Sequence, residues 1–155
     1  MKHIIYLLTL LLFVFNCSKD NNPEADRTFL EKYAGTVWVF TDYGEKTYVR
    51  IIDNLNHPFE YWEESGDCYD YYLEILDEEF YSVVDITKNS NNTFELEAVD
   101  TDGGMEFMLI MTISVFGNNL EMSYTYYEDG VLNETYSEYW AKVSMDVDSL
   151  PICDY

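Results

Sequence analysis

Residues 93–143 decide the fold, and they read TFELEAVDTDGGMEFMLIMTISVFGNNLEMSYTYYEDGVLNETYSEYWAKV. In the first run, the apolar residues Phe94 and Leu96 alternate with Glu95 and Glu97. A period of two is typical of a β-strand with one buried and one exposed face. Short turn-forming stretches rich in Gly, Asn and Asp separate this run from those that follow. The stretch therefore predicts antiparallel strands joined by hairpins.

The same pattern extends back to residue 36. The predicted strands are 36–43, 46–53, 58–64, 69–76, 80–87, 93–99, 105–115, 119–127 and 131–143. A short helix is predicted before them, from Asp26, which can cap its start, to Tyr33, with Gly35 ending it. An up-and-down meander of about eight or nine strands removes its open edges by closing into a barrel. The sequence therefore predicts an all-β, up-and-down antiparallel barrel preceded by a short N-terminal helix.

The N-terminus has the layout of an export signal at residues 1–16. Lys2 supplies a positive charge ahead of an apolar run from Ile4 to Phe15. A membrane-spanning helix needs about 20 such residues, so this run is too short for one. It stops at Cys17, after which polar residues begin.

This boundary resembles a bacterial lipobox, with Asn16 where a small residue is usual. The resemblance implies cleavage before Cys17, acylation of its thiol with two chains, and a flexible tether at residues 17–25. Two acyl chains make a stable membrane anchor. Residues 26–155 then form a single domain on the bacterial envelope, which we expect at the outer membrane, on either its periplasmic or its surface face. The alternative is an ordinary secretory signal in which Cys17 is incidental.

The chain is strongly acidic, with 30 acidic and 8 basic side chains and a net charge of −22. Nucleic acid is an unsuitable partner because phosphate binding requires basic patches. Such a field can attract cations or basic proteins, although a solvated acidic exterior is the commoner reason for it.

Three cysteines are present. With Cys17 committed to lipid, Cys68 and Cys153 remain as an even pair. In an oxidising compartment an even pair favours a disulfide, which is the expectation here. No metal-ligand spacing accompanies the pair.

The two ends of the meander carry a second resemblance. Residues 33–38 read YAGTVW, and residues 139–143 read YWAKV. A short helix entering a first strand, followed by a meander with this ending, resembles the small lipocalin-like lipoproteins of Gram-negative envelopes. In lipocalins the first strand carries Gly-x-Trp, and a basic residue near the last strand packs across that Trp. Here Gly35 and Trp38 stand one residue further apart, and Lys142 is the candidate basic partner.

Catalytic signatures do not stand out along the chain, so no enzymatic activity, cofactor or metal is expected. His57 is the only histidine beyond the signal, and no G-x-S-x-G motif surrounds it. Asp100 to Gly104 is interpreted as a hairpin turn, because Met111 stands where a calcium loop beginning at Asp100 needs a glutamate. Paired-carboxylate catalysis remains open, since sequence does not give carboxylate separations.

Aromatic side chains on the predicted strands are the candidate ligand-binding residues. They are Trp38, Phe40, Tyr69, Tyr71, Tyr124, Tyr126 and Tyr139. Small barrels of about eight strands are either filled by side chains or hollow enough for one small ligand. A lined cavity predicts an anchored binding protein for a small apolar or amphipathic ligand. A filled barrel predicts a non-enzymatic interaction or structural lipoprotein with an acidic, partner-binding exterior.

Overall fold

A computed structural model describes residues 27–73 and 83–154. The elements are helix α1 (Phe29–Tyr33) and strands β1 (Val37–Asp42), β2 (Glu45–Ile51), β3 (Phe59–Ser65), β4 (Cys68–Tyr72), β5 (Val83–Ser90), β6 (Thr93–Asp102), β7 (Met105–Phe116), β8 (Asn119–Glu128) and β9 (Val131–Val143), with a 3₁₀ turn at Val147–Ser149. The strands form one sheet in the order β4-β3-β2-β1-β9-β8-β7-β6-β5. Every pairing between them is antiparallel. The predicted up-and-down meander is therefore confirmed.

Helix α1 begins at a capping box. The Thr28 hydroxyl accepts a hydrogen bond from the Glu31 amide, and the Glu31 carboxylate accepts one from the Thr28 amide. The cap is thus Thr28 and not Asp26, which lies outside the described residues. Gly35 follows the helix with φ of +76°, a conformation that favours glycine and turns the chain into β1.

Hairpin turns of two residues join most neighbouring strands, as at 43–44, 103–104 and 129–130. In the last of these, Asp129 and Gly130 both have positive φ, which is the type I′ geometry that matches the twist of antiparallel strands. Strand β4 ends at Tyr72, and Leu73, which the predicted range 69–76 includes, lies in a bend. Residues 74–76 of that range and the start of the predicted strand 80–87 lie outside the described residues.

The sheet is not closed into a barrel, and this corrects the predicted closure. Strands β4 and β5 are the two ends of the sheet order, and the described residues contain no pairing between them. The free edge of β4 is occupied instead by the C-terminal tail. The Tyr69 amide donates to the Pro151 carbonyl at 2.8 Å, and the Cys153 amide donates to the Tyr69 carbonyl at 3.0 Å. Tyr69 and Ile152 form a parallel bridge, so the backbone groups of Tyr69 on this edge pair with the tail and not with β5.

One face of the sheet curls round a core that α1 covers at one end. Phe59 of β3 meets Phe94 of β6 edge-on, with ring centroids 5.3 Å apart, although five strands separate β3 from β6 in the sheet order. Phe29 of α1 lies 6.0 Å from Phe94. The core residues are Phe29, Leu30, Trp38, Val49, Ile51, Phe59, Phe94, Leu96, Met111, Ile113, Val115, Leu120, Met122 and Trp140. We call this the inner face, and its end beneath α1 is filled by side chains.

Trp38 lies at the centre of the inner face and is fully buried. Its indole N–H donates to the Thr36 hydroxyl at 3.0 Å. The Lys142 ammonium lies 5.7 Å from the Trp38 ring centroid, within the range of a cation–π contact. The contact that the lipocalin resemblance implied between Trp38 and a basic residue near the last strand is therefore present.

The opposite, outer face of β1 to β4 carries a second apolar cluster. Its buried members are Val37, Tyr48, Trp62 and Val147. Arg50 lies beside this cluster, 5.1 Å from the Trp62 ring, with ion pairs to Glu60 and, at 2.8 Å, to Asp148. Because Val147 and Asp148 belong to the 3₁₀ turn, the segment after β9 is packed onto this face.

Cys68 and Cys153 lie at disulfide distance, with Cα atoms 5.1 Å apart, as the sequence predicts. They join the start of β4 to the tail that borders it. Among residues 27–73 and 83–154, the structure contains no helix with the length and hydrophobicity that a membrane crossing requires.

Candidate functional site

The inner face opens at the end opposite α1 into a cleft of about 350 Å³. We call it the acidic cleft. Its lining residues are Phe40, Asp42, Tyr43, Glu45, Thr47, Tyr61, Glu63, Tyr124, Glu138 and Trp140. Five adjacent strands, from β3 to β8 in the sheet order, contribute these residues, except Tyr43 in the β1–β2 turn. The cleft therefore continues the core beyond its last apolar layer.

Aromatic rings form the floor and walls of the acidic cleft. Phe40 and Trp140 lie 5.4 Å apart between ring centroids, and Tyr61 meets Trp140 edge-on at 6.4 Å. Trp140 is only 3% exposed. Tyr43 stands at the rim, in the β1–β2 turn, and its side chain is fully exposed. A ligand in the cleft would therefore meet ring faces and edges on several sides.

Strand alternation explains why acids line the same cleft. Asp42 follows Trp38 and Phe40 at intervals of two along β1, so all three share the inner face. The register places Asp42 directly opposite Glu45. Cβ atoms of residues paired in this way are about 5 Å apart, and like charges at that distance repel.

The third and fourth acids come from other strands. Glu63 lies two residues beyond Tyr61 on β3, opposite Thr47, and Glu138 lies two residues before Trp140 on β9. None of the described lining residues carries a positive charge. The cleft thus gathers four carboxylates without a basic side chain in its wall.

Two polar groups in the cleft wall have no hydrogen-bond partner. They are the hydroxyl of Tyr61 and the indole N–H of Trp140, and both atoms are buried. Trp140 Nε1 lies near the Glu138 carboxylate without reaching hydrogen-bond geometry. A buried polar group without a partner costs about 1 to 3 kcal/mol, so natural structures rarely keep one without a reason.

The carboxyl of Glu138 has a raised pKa. Burial raises its pKa, the nearby donors Trp140 and Tyr124 lower it in part, and the charge of Asp42 raises it further. The Tyr124 hydroxyl donates to Glu138 Oε2 at 3.5 Å. Burial also raises the pKa of Tyr61 and of Tyr124 well above the usual value, which keeps both hydroxyls protonated.

A second opening, of about 380 Å³, lies further along the β8–β9 hairpin, and we call it the hairpin cleft. Its lining residues are Phe107, Met108, Leu109, Tyr126, Tyr127, Asn133, Glu134 and Tyr136. Tyr136 stacks on Tyr124 at 4.8 Å and on Tyr126 at 6.1 Å. Neither of the two buried, unpartnered groups described above lines this cleft, so the acidic cleft is the stronger candidate.

The predicted ligand-binding residues are divided between the two faces of the sheet. Phe40 and Tyr124 line the acidic cleft, and Tyr126 lines the hairpin cleft. Trp38 lies within the core.

The other three lie on the outer face. Tyr69 packs against the outer cluster, and the Tyr71 hydroxyl donates to Glu60 at 2.8 Å. Burial is the main reason that the pKa of Tyr71 rises to about 12. Tyr139 is 67% exposed and donates to Glu121. The structure therefore does not bring these three tyrosines together with Phe40 and Tyr124.

Sequence reasoning missed most of the acidic cleft, including all four acids, Tyr61 and Trp140. A signal was available in the alternation itself. An acid stands two positions beyond or before an inner aromatic on β1, β3 and β9, which places an acidic rim on the end of an apolar face.

Comparisons with protein-family models, with curated proteins and with solved structures return no match. The functional interpretation of this chain therefore depends on its own residues.

Proposed function

We propose that the protein is a non-enzymatic binding protein, anchored on a bacterial envelope, whose acidic cleft takes one small amphipathic ligand. The observation that supports this most is the pair of buried, unpartnered groups, Tyr61 Oη and Trp140 Nε1, in the wall of an open, aromatic-lined cleft. Sites for small molecules are typically apolar concavities with a few placed polar groups. A ligand with an apolar body and a polar group would satisfy both features.

The two buried groups also define what the polar part of the ligand offers. The indole N–H only donates, so it needs an acceptor, whereas a tyrosine hydroxyl can donate or accept. The likeness to lipocalin-like lipoproteins, extended by the Lys142–Trp38 contact, supports the same class of function.

Filling the cleft tests this proposal. Thr47 is half-buried in the cleft wall on β2, and Thr41 is exposed on the outer face of β1. Thr47→Trp is expected to abolish binding of a neutral solvatochromic dye and to remove any small molecule that co-purifies, because the indole occupies the cleft. Thr41→Trp, a matched control, should leave both unchanged. Dye titration and native mass spectrometry provide the measurements.

The opposite result is equally informative. If the unaltered protein binds neither dyes nor co-purifying molecules, the cleft is not a ligand site. If dye binding survives Thr47→Trp with its affinity unchanged, the ligand binds elsewhere, with the hairpin cleft as the next place to test.

A second candidate function is an interaction lipoprotein, and the tip of the β8–β9 hairpin favours it. Val131 and Leu132 are both more than half exposed there. Large contiguous patches of exposed apolar surface mark protein contact sites, and Val131 and Leu132 provide apolar surface at this tip. Replacing both with serine is expected to abolish partner capture without altering dye binding.

The anchor is proposed from the signal layout and from Cys17. Cys17→Ser is expected to release the protein from membranes and to abolish its labelling by an alkyne fatty acid, because the thiol is the acylated group. Membrane fractionation and in-gel fluorescence measure the two effects. Labelling that persists in Cys17→Ser would show that the lipid is attached elsewhere, whereas an unlabelled but still exported parent protein would indicate an ordinary secretory signal.

A further inference from the structure

Negative charge in the acidic cleft is not neutralised by the protein. Both ion pairs found in the described chain belong to Arg50 on the outer face, and neither reaches the cleft. Asp42 and Glu45 face each other across β1 and β2 at the rim. A partly enclosed cleft lined by one sign of charge concentrates ions of the opposite sign.

The aromatic wall of the cleft and the buried Tyr61 hydroxyl, which has no hydrogen-bond partner, are a second observation that is independent of the charge. Tyr61 Oη is buried without a partner in the wall of the cleft that Tyr124 and Glu138 also line. Burial raises its pKa, and the charges of Tyr124 and Glu138 raise it further. A protonated phenol in this position can accept a hydrogen bond from an N–H donor of a ligand. Trp140 and Phe40 present rings to the same space.

The combination of rings and acids distinguishes between kinds of cation. Hard metal ions require several oxygen ligands converging at short distance. In the part of the chain that the structure describes, no three His, Cys, Asp or Glu side chains converge in this way. An organic ammonium, in contrast, is attracted by ring faces as well as by carboxylates, and tryptophan attracts it most strongly.

We infer that the acidic cleft recognises an organic cation, an amine or quaternary ammonium carried on an aromatic or apolar body. The ammonium group lies among Glu138, Glu63 and the hydroxyl of Tyr61, and the body packs against Phe40 and Trp140. This inference rests on the proposed function, because it names the ligand class of the same cleft.

Three probes of one shape test the inference: 2-(1-naphthyl)ethylamine, 2-(1-naphthyl)ethanol and 1-naphthylacetate. The full mature protein is titrated with each by calorimetry. We expect the amine to bind about tenfold more tightly than the alcohol, and the carboxylate not to bind. Raising the ionic strength from about 0.05 to about 0.5 M should weaken binding of the amine several-fold and leave the affinity for the alcohol unchanged.

Matched double variants separate the cleft from the general acidity of the chain. Glu63→Gln with Glu138→Gln removes two charges from the cleft, and Glu97→Gln with Glu121→Gln removes two from the outer face. The first pair should weaken amine binding about tenfold and alter alcohol binding less than about twofold. The second pair should leave both unchanged, and circular dichroism checks that all variants are folded.

Each of the other outcomes contradicts either the cation inference or the proposed function. Equal affinity for amine and alcohol, both lost in Thr47→Trp, would refute the cation inference and leave the proposed function standing. If the two double variants weaken amine binding equally, the amine is attracted by the overall charge of the protein and not by this cleft. Saturable binding of calcium alone, lost with Glu63→Gln and Glu138→Gln, would replace the organic cation with a metal. No binding of the amine by a protein that still binds the neutral dye would overturn the cation inference alone, whereas no binding of the probes, the dye or a co-purifying molecule would overturn both proposals.

Discussion

Replacing Cys68 and Cys153 together with serine is expected to lower the free energy of unfolding by about 4 kcal/mol. The two residues are 85 apart in the chain, and a crosslink that closes a loop of this length restricts the unfolded ensemble strongly. In the folded double variant, the edge of β4 also loses order, because the crosslink no longer ties residues 151–153 to that strand. Denaturant unfolding of the mature protein measures the change.

Reduction of the parent protein is the control, since it should reproduce the stability of the double serine variant. Hydrogen exchange adds a local readout. The amides of Tyr69 and Cys153, which hold the tail on β4, should lose protection more than the amides of β7 and β8. A stability loss below about 1 kcal/mol would show that the crosslink does not stabilise the folded protein as expected.

Trp38→Ala is expected to lower the free energy of unfolding by about 3 to 5 kcal/mol, because a methyl group replaces a fully buried indole of the inner face. The Lys142 ammonium loses the ring beneath it, and Thr36 loses a hydrogen-bond donor. Thermal or denaturant unfolding provides the measurement.

Tyr139→Ala is the control for Trp38→Ala. It also removes an aromatic ring from a strand, but this ring is mostly exposed, so the change should stay within about 0.5 kcal/mol. A cost of less than about 1 kcal/mol for Trp38→Ala would mean that the inner face is not packed around this residue.

Local pattern was sufficient to predict the strands and turns. Alternation of Phe94 and Leu96 with Glu95 and Glu97 gave the orientation of β6 correctly, since only one face of that strand is apolar. The cysteine pair was predictable from compartment and count. Closure of the sheet was not, because it depends on what occupies the edge of β4, and residues 151–153 give no sign in the sequence that they do so.

The candidate site was harder to predict for a related reason. In β2 and β3 both faces of the sheet are covered, the inner by the core and the outer by the cluster that includes Val147, and Tyr69 of β4 also packs on that outer cluster. Alternation then separates two faces without indicating which one is inside. Tyr69 and Tyr71 were therefore expected beside Tyr124, from which the sheet separates them.

The pairing of residues 151–153 with β4 also affects the order in which the sheet can form. Strands β1 to β4 come first in the sheet-forming part of the chain, yet β1 waits for β9 as its second neighbour, and β4 waits for residues 151–153, which follow all nine strands. Until then β4 presents unpaired amides and carbonyls on which a strand of another chain could assemble. The half of the sheet that comes first in the chain is thus completed last, and a chain that stopped after β9 would leave this edge of β4 open to pairing with strands of other chains.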